Sequence, residues 1–227
     1  MKQQSMKNKT RFHGAKRIFI SALVVVGWSN SYASIITNGS FESASVDPGT
    51  TWIALSPGDT SIAGWTVIND LIHYMGTYWV ASDGIRSVDL DGATGQAGGI
   101  EQQFATVAGN KYEVSFDMSG NLAGGPTIKP MQVIADGQIG DFTFDITGIS
   151  QADMGWINHK WLFTADDALA TLQFVSINSP ASFGPVIDNV SVRMAPMGQT
   201  PEPAVLALFS IGLAGIGYHR RRKAKTA

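Results

Sequence analysis

The chain has 227 residues, no cysteine and a formal net charge of −2, with 16 Lys and Arg against 18 Asp and Glu. The absence of cysteine excludes disulfide staples, thiol catalysis and zinc–thiolate centres. The near-neutral total hides an asymmetry: Ser34 to Thr200 holds only Arg86, Lys111, Lys129, Lys160 and Arg193 against 17 acidic residues, about −12, which repels phosphates and excludes nucleic acid as a partner.

At the N-terminus, Lys2, Lys7, Lys9, Arg11, Lys16 and Arg17 form a basic region. Ile18 to Val26 is apolar, and Ser31-Tyr32-Ala33 is a small-x-small cleavage site. This predicts a secretory signal peptide over residues 1–33, handled by the Sec machinery and removed by signal peptidase. A retained N-terminal anchor is the alternative, and the shortness of the apolar stretch weakens it.

From Ser34 the chain reads as short strands separated by Gly, Pro, Asn and Asp turns, the pattern of an all-β sandwich over residues 34–195. Ile35-Ile36 leads into Asn38-Gly39-Ser40-Phe41-Glu42, and a polar loop runs through Asp47-Pro48-Gly49 and Ser56-Pro57-Gly58-Asp59. Strands are expected at Ile62 to Ile68, Leu71 to Met75, Ile85 to Leu90 and Gly99 to Val107. Lys111 to Met118 is the clearest, since Tyr112, Val114, Phe116 and Met118 alternate with Lys111, Glu113, Ser115 and Asp117. Further strands are expected at Met131 to Ala135, Phe142 to Ile146, His159 to Thr164, Ala170 to Ile177 and Pro185 to Arg193, with no amphipathic helix.

In the last of these, period-2 parity places Val186, Asp188, Val190 and Val192 on one apolar face. Asp188 is therefore expected to point inward. A buried carboxylate needs hydrogen bonds, a counter-charge or a metal. With so few basic residues in the domain, backbone N–H groups or a cation are the expected partners.

Residues 196–227 change character. Thr200-Pro201-Glu202-Pro203 breaks the preceding structure, 204–218 is uncharged and apolar, and His219, Arg220, Arg221 and Arg222 open a basic tail over 219–225. The run of 15 residues is short of the ~20 that cross a bilayer comfortably, and the arginines hold the cytoplasmic side. The tail resembles the PEP-CTERM sorting signal of Gram-negative bacteria, with Pro201, Glu202 and Pro203 at the motif and Arg220, Arg221 and Arg222 behind it. The resemblance implies an apolar sorting helix, transient inner-membrane insertion, an exosortase as partner and delivery to the cell surface or extracellular matrix.

A second resemblance covers the domain itself. Asn38-Gly39-Ser40-Phe41-Glu42, Gly64-Trp65, Trp79 with Asp83-Gly84, Ser87-Val88-Asp89-Leu90-Asp91-Gly92, Gly99 to Phe104, Tyr112 to Asp117 with Gly120-Asn121, and Gly184 to Val192 together look like the choice-of-anchor C family. That implies a galactose-binding-like jelly-roll β-sandwich. Similar sandwiches hold a structural calcium between first and last strands, and the matching positions here are Glu42 and Asp188. A metal site there is one expectation; carboxylates satisfied by backbone donors are the other.

For function, His73 and His159 lack metalloprotease spacing and no nucleophile elbow occurs. Asp89, Asp91, Glu101, Asp117, Asp166 and Asp167 are abundant but show no convergent pair of the kind a glycosidase needs. Trp65 and Trp161 read as core. Tyr78-Trp79 sits in a loop-like setting, where an exposed aromatic could stack on a sugar with Asp89 or Asn121 supplying hydrogen bonds; packing in the loop is the plainer alternative. The expected function is a non-catalytic exported matrix protein that binds polysaccharide. The alternatives are a structural or adhesive matrix protein and, less favoured, a secreted glycan hydrolase.

Overall fold

The computed structural model describes residues 33–180 and 182–196. The expected signal peptide over residues 1–33, apart from Ala33, and the sorting segment, including Pro201, Glu202, Pro203 and Arg220 to Arg222, lie outside the described residues. Among the described residues there is no helix long and apolar enough to cross a membrane.

Eleven strands form two sheets: β1 Trp52–Leu55, β2 Thr66–Ile68, β3 Ile72–Met75, β4 Ser87–Asp89, β5 Gly99–Ala105, β6 Lys111–Gly120, β7 Ile128–Ala135, β8 Gln138–Asp145, β9 Ile157–Thr164, β10 Leu169–Ser176 and β11 Pro185–Met194. One sheet has the order β1-β3-β4-β11-β6-β9 and the other β2-β5-β10-β7-β8. Every pairing is antiparallel. Only the β3–β4 and β7–β8 connections stay within one sheet. All the others cross to the opposite sheet, which is the winding of a jelly roll.

The core lies between the sheets. The alternation in β6 does what the sequence requires: Tyr112, Val114, Phe116 and Met118 are buried. Phe116 sits 5.2 Å from Phe174 and 5.1 Å from Phe142 by ring centroids, both edge-on, the arrangement that aromatic quadrupoles favour. Trp65 closes one end, its indole N–H donating to the Asn38 carbonyl at 3.0 Å. Each such buried ring is worth about 1.5–3 kcal/mol of apolar transfer free energy.

Three features depart from the strand pattern. Trp52–Leu55, read from sequence as part of a polar loop, is β1, because Leu55 reaches the core and the segment pairs with β3 from Trp52 opposite Met75 to Leu55 opposite Ile72. In β11 the period-2 parity does not run through. Asp188 pairs with Asp117 and Ser191 with Ser115, so one extra residue bulges out at Asn189, whose φ is +50°. Val186 and Asp188 therefore lie on the outer face of the six-stranded sheet, while Ile187 and Val192 face the main core. Asp188 is buried as expected, but on the opposite side from Val192.

The third departure follows from the second. The outer face of that sheet is covered by loops, and Met75, Trp79, Met154 and Val186 form a small second core there. Asp117, expected to face solvent, is consequently only 7% exposed.

Candidate functional site

The rim of this second core is where aromatic side chains come to the surface. A cavity of about 370 Å³ is lined by Trp52, His73, Met75, Tyr78, Ala93, Asn121, Ala123, Ser182 and Phe183. Trp52 and His73 come from β1 and β3 on the same sheet face, and Tyr78 from the loop after β3. The Trp52 ring is 5.2 Å from Tyr78, edge-on, and 5.7 Å from His73. Trp52 is 42% exposed, so part of its indole reaches solvent. Burial holds the His73 imidazole below its ordinary pKa, so it is neutral at pH 7 and offers one donor and one acceptor.

Asn121 supplies the amide of this wall. Its Nδ2 donates to Asp89 Oδ2 at 2.7 Å and its Oδ1 accepts from the Ala123 N–H at 2.9 Å, which fixes which end of the amide faces which way. Asp89 is fully buried and also accepts from the backbone N–H groups of Asp91 and Gly184. Desolvation pushes its carboxyl up to about 7.

The sequence-derived sugar site is therefore rearranged. Tyr78 and Asn121 do line the cavity. Asp89 does not reach it; it lies beneath Asn121 and orients it. Trp79 is 3% exposed, with its indole N–H donating to Ser87 Oγ at 2.9 Å, so it packs the second core and is not a stacking platform. Trp52, missed because its segment reads as loop, takes the exposed position. Its only sequence signal was a large aromatic in an otherwise polar stretch.

Glu42 and Asp188 both hold the loop over residues 82–86. Glu42 Oε1 accepts from Ile85 N–H and Arg86 N–H, each at 2.7 Å. Asp188 Oδ2 accepts from Ser82 N–H and Asp83 N–H, each at 2.8 Å, and its Oδ1 accepts from Asn189 N–H at 2.6 Å. The Ser82 hydroxyl adds a bond to Asp117, which also accepts from Asn158 and Asn189 side chains. Desolvation raises the Asp188 carboxyl to about 7 against the pull of its three backbone donors. Five N–H groups aimed at these oxygens suit carboxylates and oppose a cation at the same lone pairs, so the described residues in this arrangement do not fit calcium. No group of three or more acidic or histidine side chains placed to hold a metal occurs among the described residues.

Comparison with known proteins gives the domain a family: the model described as "Protein of unknown function (DUF642)" matches residues 34–193. The chain belongs to the DUF642 family. A second model, the PEP-CTERM protein-sorting motif, matches residues 199–223 and marks this DUF642 chain as an exported protein anchored through its C-terminus. Among curated proteins, Halomucin of Haloquadratum walsbyi is 32% identical over 180 residues, covering 77% of this chain; the chain spans only 2% of Halomucin's length. Solved structures similar to it include a family 35 carbohydrate binding module from Clostridium thermocellum, at 18% identity and TM-score 0.43, covering 63% of this chain and 99% of that one. Another is the module TmCBM61 in complex with β-1,4-galactotriose, at 14% identity and TM-score 0.45, covering 72% and 100%.

Proposed function

We propose that this protein is a non-catalytic, exported carbohydrate-binding protein of the extracellular matrix, and that the cavity beside Trp52 is where it holds polysaccharide. The observation that carries the reading is an aromatic wall with a part-exposed Trp52, next to an amide held in orientation by a buried carboxyl group. An apolar face for the ring of a sugar and a few fixed polar groups for its hydroxyls are what such a site needs. None of the residues lining this cavity is a carboxylate, so it lacks the flanking acid pair of a glycosidase and supports binding, not hydrolysis. The relative at 32% identity is named Halomucin, which agrees with this reading in kind.

On the same proposal the chain passes through the Sec machinery and signal peptidase, inserts transiently in the inner membrane of a Gram-negative bacterium, and is handed by an exosortase to the surface or matrix. On this reading Glu42 and Asp188 serve as the clamp of the 82–86 loop, and not as calcium ligands. Tryptophan fluorescence titration with neutral oligosaccharides tests the site: Trp52→Ala is expected to remove binding while leaving the fold intact. Undiminished binding by the folded variant would move the ligand site elsewhere. Failure of every glycan to bind the wild-type protein would favour the structural or adhesive matrix role.

A further inference from the structure

Behind the cavity, where the sheets meet, Lys129 is buried with no measurable exposure. It is the only basic side chain among the described residues to be so, and it makes no salt bridge. Its ammonium donates to two backbone carbonyls, Gly124 at 2.7 Å and Phe183 at 2.6 Å. The Phe183 carbonyl also accepts from Asn178 Nδ2 at 3.1 Å, so the lysine amine and the asparagine amide share one acceptor. Asn178 Nδ2 donates in addition to Asp91 Oδ2 at 3.0 Å.

The backbone brings these groups together. Strands β7 and β10 pair with Met131 opposite Ser176, and Ile177 N–H donates to the Pro130 carbonyl. The next step of the same register sets Lys129 opposite Asn178, where cross-strand Cβ atoms lie about 4.5–5.5 Å apart. Two buried atoms in the cluster have no hydrogen-bond partner: Asp91 Oδ1 and Asn178 Oδ1. They belong to the two groups already joined through Asp91 Oδ2 and Asn178 Nδ2. A proton on Asp91 Oδ1, donated to Asn178 Oδ1, would satisfy both and close a cyclic acid–amide pair. A buried acceptor left unpaired otherwise costs about 1–3 kcal/mol.

We propose that Lys129 and Asn178 become joined by an intramolecular isopeptide bond, with Asp91 as the group that handles the protons. The reaction needs no external reagent. Lys129 and Asp91 make no direct salt bridge, so as the site is buried the Lys129 ammonium gives one proton to solvent and the Asp91 carboxylate takes one up, leaving a neutral amine and a carboxylic acid with no net change in charge. The acid polarises the Asn178 carbonyl by hydrogen bonding to Oδ1, and the Nζ lone pair attacks Cγ. The Nζ–Cγ bond forms as a proton moves from Nζ through Asp91 to Nδ2; the Cγ–Nδ2 bond then breaks and ammonia leaves. Desolvation acts in the required directions, lowering the Lys129 pKa and raising that of Asp91, and a desolvated lysine is an activated nucleophile. Asp89 is the less suited of the two carboxylates, because N–H donors already occupy both its oxygens. The product would tie β7 to the end of β10 in an exported chain that has no cysteine for a disulfide.

The test is mass spectrometry of the full chain as exported. The expected result is an intact mass one ammonia below that of the processed sequence, and after digestion a branched peptide containing both Lys129 and Asn178. Amine labelling of the denatured protein should then miss Lys129. Labelling of Lys129, or ammonia loss confined to Asn178 as a cyclic imide with no lysine attached, would overturn the proposal. Lys129→Met and Asp91→Asn are expected to restore the full mass. A folded Asp91→Asn protein that still forms the bond at the wild-type rate would overturn the role of Asp91, and since the wild-type peptide map decides the bond itself, loss of folding in a variant leaves the test intact.

Discussion

Replacing Asp188 by alanine should release the loop over residues 82–86. The side chain accepts three backbone hydrogen bonds, from Ser82, Asp83 and Asn189, at 2.6 to 2.8 Å. Stranding a buried donor costs about 1–3 kcal/mol, but residues 82, 83 and 189 are themselves exposed, so water can reach their N–H groups and each loss belongs at the lower end. The sum is about 3 kcal/mol, which for a domain of this size lowers the melting temperature by roughly 6–12 °C. Glu42→Ala removes only two bonds, both at exposed positions, and should cost about 1–2 kcal/mol. Urea unfolding of the two variants, followed by intrinsic tryptophan fluorescence, measures both losses and reports solvent reaching Trp79. Equal small losses for the two would refute the clamp. So would a calcium-dependent rise in the wild-type melting temperature that Asp188→Ala abolishes, because that would show an ion where the N–H groups are placed.

Other outcomes follow from the same geometry. Trp79→Ala should cost about 3–5 kcal/mol, as for other buried tryptophans, whereas Trp52→Ala should change stability by less than about 1.5 kcal/mol and act on binding; equal stability losses would contradict the assignment of the two rings. Asp89 and Asp188 both have folded carboxyl pKa values of about 7, raised from 3.8. The native state therefore binds more protons than the unfolded chain between about pH 4 and pH 7. Stability should fall as pH rises through that window, by up to a few kcal/mol, and an Asp89→Asn variant should flatten the slope; stability rising over the window would refute the shifts. Gly39→Ala should unfold or severely destabilise the protein, since a Cβ there would run into the Val190 carbonyl, which a thermal melt would show at once.

The periodicity of β6 and the spacing of turn residues along the chain were enough to name the fold class and most strands, because alternation of side chains across a half-buried strand is a local property. The proline-marked C-terminal sorting motif was likewise legible, since such a signal is read as a linear segment. What depended on the tertiary structure was which polar positions would be covered. Ser87, Asp89 and Asp117 carry no burial signal in the pattern, and Asp188 was expected inside but against the main core; all four are buried because distant loops close over the outer face of one sheet. The bulge at Asn189 sends Asp188 to that face; parity cannot foresee it, because one inserted residue inverts the alternation. Trp52 and Tyr78 meet only because β1 pairs with β3, and Lys129 and Asn178 come to share the Phe183 carbonyl only because β7 pairs with β10. Those encounters join residues far apart in sequence, and their physical basis is strand pairing and burial that no short stretch of the chain contains.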